Sequence, residues 1–206
     1  MQLHPATSGS PAKMPELRHQ TVVIVAGAPG VGKSTVAFRI ALALEAASID
    51  IDAVFEPIAP LLAAQPRELV RPAIYESLVA IAEASLPTGA HVVVAAPFTR
   101  ERRDPLAWSR LAARLSSHGA DVVLVWLYAP PEPLLARLAA RGATRDAEKL
   151  VDPASWLREA EPEAPPSVSY IAVDATQTTE DAVDQILREL VDRDRVAASH
   201  AEGPAS

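Results

Sequence analysis

The chemistry easiest to read in this chain sits in eight residues, Gly27-Ala28-Pro29-Gly30-Val31-Gly32-Lys33-Ser34, which fit the pattern G-x-x-x-x-G-K-[ST]. Glycines at these spacings let backbone N–H groups converge on phosphate oxygens, and a helix starting behind them turns its positive dipole end to the same point. Lys33 would reach the β- and γ-phosphates and the Ser34 hydroxyl would ligate Mg²⁺, with Thr35 as a further phosphate contact. The bland alternative is a glycine-rich turn with an incidental lysine. Two observations weigh against it. The chain has only three lysines beside sixteen arginines. The motif also follows TVVIVA directly and precedes VAFRIALALEAA, the strand–loop–helix setting a phosphate cradle requires. A nucleoside triphosphate is the expected ligand of residues 27–35.

Other reactive side chains are spaced so that a fold could gather them. Arg137 and Arg141 are four apart and share a helix face, and Gly142 suits the end of that helix, so Arg145 would lie beyond it. Converging guanidinium groups neutralise the charge that spreads over a phosphoryl group in transfer; a solvated cationic face is the competing explanation. Arg67, Arg71 and Tyr75 recur every four residues on a second helix and suit an anionic or hydroxylated small molecule, although a structural role explains them as well. Arg100 and Arg103 follow a strand-like run with Pro97 and Phe98, and divide evenly between substrate contacts and ordinary surface arginines. Asp146 and Lys149 read as an exposed salt-bridge pair of little energetic value. Trp108, Trp126 and Trp156 read as packing residues.

The elements that must position these groups alternate between short apolar runs and helix-period segments. Strands are expected at 21–26, 48–51, 91–96, 122–128 and 168–173. Helices are expected at 36–47, 53–64, 67–85, 106–117, 132–141 and 180–193. Strands apolar on both faces and separated by helices imply a parallel sheet covered on two sides. The expected architecture is an α/β domain over residues 21–194, a five-stranded parallel sheet flanked by helices, with an irregular arginine-rich lid near 137–166. Residues 1–20 and 195–206 lack periodicity and read as disordered tails.

Composition closes several alternatives. The 206 residues are 49% apolar and include no cysteine, which excludes disulfides, thiolate nucleophiles and cysteine-ligated metals. A net charge of −7 argues against a dedicated nucleic-acid binder. No apolar run approaches a membrane span, and the first twenty residues lack a signal-peptide core, so a soluble cytoplasmic protein is the expectation. Monomer and homodimer both remain open.

In this order the motifs resemble a family, the small P-loop kinases of the adenylate-kinase-like group that includes gluconate kinase, shikimate kinase, chloramphenicol phosphotransferase and zeta toxin. The resemblance rests on GAPGVGKST at 27–35, SIDIDAVFE, HVVVAAPFTRERR, ARLAARGATRD at 136–146, and VDATQTTEDAV at 173–183, which is similar to the segment near adenine in such kinases. It implies ATP and Mg²⁺ on the loop and a hydroxyl-bearing small molecule as acceptor. Asp52, at the carboxyl edge of the sheet, then serves as general base or substrate anchor; a helix N-cap is the competing role. Asp50 points the same way along the strand and would assist metal or substrate. Arg141 and Arg145, with Arg137 next, are the implied phosphate clamps. One departure stands out: the third strand ends in Ala95 and Ala96 where many P-loop proteins carry an acid that supports Mg²⁺, leaving Ser34, water and Asp50 or Asp52 for that task. A nucleotide-hydrolysing switch acting on a protein partner is the competing function, weakened by that missing acid; a non-catalytic nucleotide-binding module is a third.

Overall fold

The computed structural model describes residues 17–143 and 146–201. Five strands, β1 (Thr21–Gly27), β2 (Ala47–Asp50), β3 (Val92–Ala95), β4 (Asp121–Tyr128) and β5 (Ile171–Asp174), pair in parallel in the order β2-β3-β1-β4-β5. β1 lies at the centre, with Val22 opposite Val92 on one side and Val122 on the other. The sheet therefore has the parallel, five-stranded form expected from the sequence.

Residues alternate across a strand, and both faces of β1 are covered. Val23 and Val25 join Ile40, Leu134 and Ile186 in one apolar cluster, while Val22 and Ile24 join Leu78, Leu111 and Leu115 in another. The first face is covered by α1 (Lys33–Ala43), α7 (Pro131–Arg141) and α10 (Thr179–Ala201). The second is covered by α4 (Arg67–Ser85) and α6 (Pro105–Ser116). Short helices are α2 (Ile51–Phe55), directly after β2, α3 (Ala59–Leu62), α5 (Thr99–Arg103), shortly after β3, α8 (Ala147–Val151) and α9 (Pro153–Ala160).

Several elements differ from the sequence expectation for identifiable reasons. The single helix expected at 53–64 is two pieces, α2 and α3, because Pro57 and Pro60 lack the N–H that would continue a helix. Helix α1 begins three residues earlier than expected, at Lys33, with Gly32 as its left-handed N-cap, and the chain turns away at Glu45, φ 49°. Helix α5 has no counterpart in the expected element order. In the irregular 142–166 stretch the described residues include α8 and α9.

The tail boundaries also shift. Helix α10 continues to Ala201, past the boundary placed at 194. Its inward face runs Leu190, Asp194, Ala198, all buried, and the carboxylate in the middle interrupts the apolar pattern that a sequence reading follows. Asp194 accepts from Arg18 N (2.9 Å), His19 N (3.0 Å) and His19 Nδ1 (3.0 Å), and Leu17 packs on the core, so residues 17–20 belong to the folded unit.

Candidate functional site

The loop between β1 and α1 owes its shape to its glycines. Gly27 sits at φ 147°, and a Cβ there would lie 2.4 Å from the Leu127 carbonyl oxygen on the adjacent β4. Only glycine lets the loop leave the sheet so close to its neighbour. Gly30, at φ 83°, lies against Leu138 of α7. Beyond Gly32 the first helical residue is Lys33, whose Nζ donates to the Ala28 carbonyl at 3.0 Å and so arches back over the loop. Burial pushes the Lys33 ammonium down to about 8; Asp52 and Asp50 pull it back up, while Arg141 and Arg102 push the same way as burial. An ammonium held at that value gains strongly from a phosphate beside it.

Lys33, Ser34 and Thr35 open into a cleft of about 600 Å³ at the carboxyl ends of the strands. This is the edge where open parallel sheets bind ligands. Asp50 and Asp52 line the same cleft, and both carboxylates act on the Lys33 ammonium. Asp50 ends β2 in register with Ala95, and its carboxylate caps α2 by accepting from Asp52 N at 2.8 Å. The capping role weighed for Asp52 is thus performed by Asp50, which leaves the Asp52 side chain in the first turn of α2, on the cleft wall. Ile51, Phe55, Val70 and Ile74 give this wall an apolar lining, and Arg71 and Tyr75 complete it from α4. Tyr75 packs edge-on against Phe98, ring centroids 5.5 Å apart, with the Arg71 guanidinium 6.0 Å from its own ring. Burial pushes the Tyr75 hydroxyl up, against the pull of Arg71.

On the third side α7 contributes Arg137 and Arg141. Arg137 Nη2 donates to the Ala175 carbonyl at 2.7 Å, tying α7 to the turn after β5. Arg141 reaches Asp146, which is fully buried and also receives Lys149 Nζ at 2.6 Å; both groups line the cleft. The exposed, weak pair expected from sequence is instead a three-residue cluster around a buried carboxylate. Arg145 lies outside the described residues.

The structure thus gathers Pro29, Gly30, Gly32, Lys33, Ser34, Thr35, Asp50, Asp52, Arg71, Tyr75, Arg137 and Arg141 around one cleft, with Gly27, Ala28 and Val31 buried beneath it. It does not bring Arg100 or Arg103 there. Those two line a separate cavity of about 800 Å³ between α4, α5 and α6, which meets the cleft only at Arg71 and Tyr75. Arg103 is engaged instead with the Glu159 carbonyl (2.9 Å) and the Glu161 carboxylate (2.7 Å). Its neighbour Arg102 is buried and donates to the Ala164 carbonyl at 3.2 Å, a role nothing in the sequence announced. Trp126 is buried and stacks on Tyr128, as expected of a packing residue.

A parallel β2-β3-β1-β4-β5 sheet carrying a glycine-rich loop into a helix defines the fold of the small P-loop kinases. The AAA domain family matches residues 22–166, and the chain belongs to that family. Solved kinases share the fold. A gluconokinase from Sinorhizobium meliloti is 21% identical with a TM-score of 0.61, over 90% of this chain and 99% of that one. Shikimate kinase from Aquifex aeolicus is 17% identical with a TM-score of 0.53, over 89% and 100%. The APS kinase of Mycobacterium tuberculosis, solved with AMPPNP and APS, is 18% identical with a TM-score of 0.53, over 84% and 98%. No curated protein matches the sequence. Among the described residues, no helix is long and apolar enough to cross a membrane.

Proposed function

We propose that this protein is an ATP-dependent phosphotransferase that moves the γ-phosphate of ATP to a hydroxyl of a small molecule, whether metabolite, nucleoside or antibiotic. The observation that carries the reading is that Asp52 lines the same cleft as Lys33 and Ser34 and is the carboxylate that acts most strongly on the Lys33 ammonium. A phosphate cradle with a carboxylate in the same cleft suits in-line transfer to an alcohol. The acceptor oxygen attacks the γ-phosphorus, the bond to the β-phosphate oxygen breaks, and the acceptor proton passes to Asp52 as ADP leaves. Lys33, Arg141 and Arg137 offset the charge on the transferring group.

Ser34 and Asp50 line the cleft as oxygen donors that suit Mg²⁺, which leaves Asp52 to the acceptor. Bound there with ATP, the ion would neutralise phosphate charge and orient the γ-phosphoryl group. Ala95 at the end of β3 offers no acid for activating a water, which disfavours a hydrolytic switch. The apolar residues on the acceptor side, Phe55, Val70 and Ile74, suit a molecule with a non-polar body.

The experiment is transfer of labelled γ-phosphate from ATP to a panel of hydroxyl-bearing metabolites, nucleosides and antibiotics, with Lys33→Ala and Asp52→Asn beside the wild type. A labelled product absent in both variants supports the reading. Nucleotide binding with hydrolysis indifferent to Asp52, and no transfer to any acceptor, moves the assignment to a regulatory ATPase.

A further inference from the structure

We propose that the cavity between α4, α5 and α6 is the distal part of the acceptor site. The acceptor is then an amphiphilic alcohol whose apolar body passes Tyr75 and whose anionic substituent meets Arg100 and Arg110. The inference rests on the kinase reading and names the acceptor class that the cleft alone does not select.

Helix α4 is shared by the two spaces. Val70 and Ile74 line the cleft, Glu68, Pro72 and Val79 line the cavity, and Arg71 and Tyr75 line both. The spaces therefore meet within one turn of α4, and a ligand longer than the acceptor side of the cleft continues past these two side chains. Tyr75 marks the junction chemically. Arg71 is near enough to pull on its hydroxyl, yet among the described residues no hydrogen bond reaches that buried oxygen. A buried hydroxyl without a partner is costly, and a polar ligand atom at the junction removes the cost.

The cavity beyond suits a molecule of two characters. Part of its lining is apolar: Phe98, Ala107 and Leu111 are buried, and Phe98 supports Tyr75 edge-on. Its volume of about 800 Å³ is that of a site for a sizeable organic ligand. Its charges are unequal. Arg103 is engaged with Glu161 and the Glu159 carbonyl, and Arg114 bridges Glu76 and Glu83. Among the described residues Arg71, Arg100 and Arg110 carry no ion pair, against two carboxylates in the same state, Glu68 and Glu101. The surplus is positive, and a guanidinium matches the two-oxygen edge of a carboxylate or phosphate. Arg100 and Arg110 are exposed, so replacing them leaves the core intact.

The test compares full-length wild type with the double variant Arg100→Gln, Arg110→Gln. Direct binding uses anilinonaphthalene sulfonate, which joins an apolar body to an anion, and phenylnaphthylamine, which keeps the body without the sulfonate. Wild type is expected to bind the anionic dye about tenfold tighter. The double variant should lose that preference while holding the neutral dye, and a non-hydrolysable ATP analogue with Mg²⁺, within about twofold of wild type. The labelled transfer panel is then extended with hydroxyl-bearing carboxylates and phosphate esters. For the acceptor it identifies, the variant should raise KM about tenfold with kcat within about twofold, and should leave the KM of the acceptor's uncharged ester unchanged. The sulfonate dye should inhibit transfer competitively against the acceptor and not against ATP. A dye preference that is absent or survives the double variant overturns the inference, as does an acceptor with no anionic group or a KM the variant does not move. Inhibition that is not competitive with the acceptor overturns it too, making the cavity a separate effector site. All of these leave the kinase reading intact. Binding of the ATP analogue without transfer to any acceptor overturns that reading and this subsite together.

Discussion

The two walls of the cleft are built by opposite means. The phosphate-loop wall is local: nine consecutive residues run out of a fully buried strand into a helix, and backbone geometry does the positioning. The rest of the lining is assembled from β2, α2, α4, α7 and α8, with side chains from positions 50 to 149, several of them oriented by one another. Asp50 holds the start of α2, Arg137 ties α7 to the turn after β5, and Asp146 holds Arg141 and Lys149. On the proposed reading, a triphosphate, a ligand group that never varies, is met by a rigid backbone cradle. An acceptor hydroxyl and a departing phosphoryl group would then need side chains that can be aimed, and those are held by ion pairs and caps.

This contrast is broken most severely at Gly27. Gly27→Ala forces a Cβ into the Leu127 carbonyl, and we expect a stability loss of about 3 kcal/mol or more together with loss of nucleotide binding. Urea unfolding and nucleotide titration of the same preparation check both. A variant that folds and binds as wild type would show the loop to be far more deformable than its contacts imply.

Next in size is the proton linkage of Lys33. Burial holds its ammonium at about 8, and a bound phosphate raises it, so nucleotide binding should take up a proton near pH 8 and weaken as the pH rises through that value. Calorimetric titration in two buffers of different ionisation enthalpy measures the uptake directly, and it should vanish near pH 6.5, where Lys33 is already protonated. Uptake that is absent at pH 8 would mean that burial does not depress this lysine.

Smaller effects belong to the scaffold away from the cleft. Asp194 lies below its ordinary carboxyl value: burial opposes this, but the hydrogen bonds from Arg18 and His19 outweigh it. Its contribution is present above the unfolded carboxylate pKa of about 3.9 and is lost as the pH falls below that through the lower folded value. Asp194→Asn should therefore flatten the acid limb of the stability curve, followed by circular dichroism between pH 5 and pH 2. Smallest of all is Arg114, whose guanidinium bridges Glu76 and Glu83 of α4 from α6. Being more than a third exposed, this network should cost only about 0.5–1 kcal/mol in Arg114→Ala.

The same contrast decides what could be read from sequence. The phosphate loop was legible because its requirements are local and strict in residue type. The sheet was legible because runs such as VVIV and VVVA are buried on both faces. Asp52 and Arg141 could be placed near the loop because they follow a strand end and a helix end that the topology brings to one edge. Arg100 and Arg103 could not be sorted the same way. They share that edge in sequence, but α5 turns them toward a different cavity and toward the 159–164 segment. The buried status of Asp146 was hidden for a related reason: an Asp between an Arg and a Lys looks like any surface cluster until two helices close over it. Asp194 misled the end of the last helix because a charged residue on an inward face is satisfied by the chain far away, at Arg18 and His19.

The central claim divides the labour between the walls: the loop holds the nucleotide and Asp52 serves the acceptor. Its most direct test measures, in Asp52→Asn, both the affinity for a non-hydrolysable ATP analogue and the rate of transfer to the acceptor identified by the labelled panel. The account predicts analogue affinity within about threefold of wild type and a transfer rate reduced about 10²–10⁴-fold, the range for loss of a general base. Transfer that survives the substitution, or nucleotide affinity that collapses with it, would contradict the assignment of Asp52 to the acceptor.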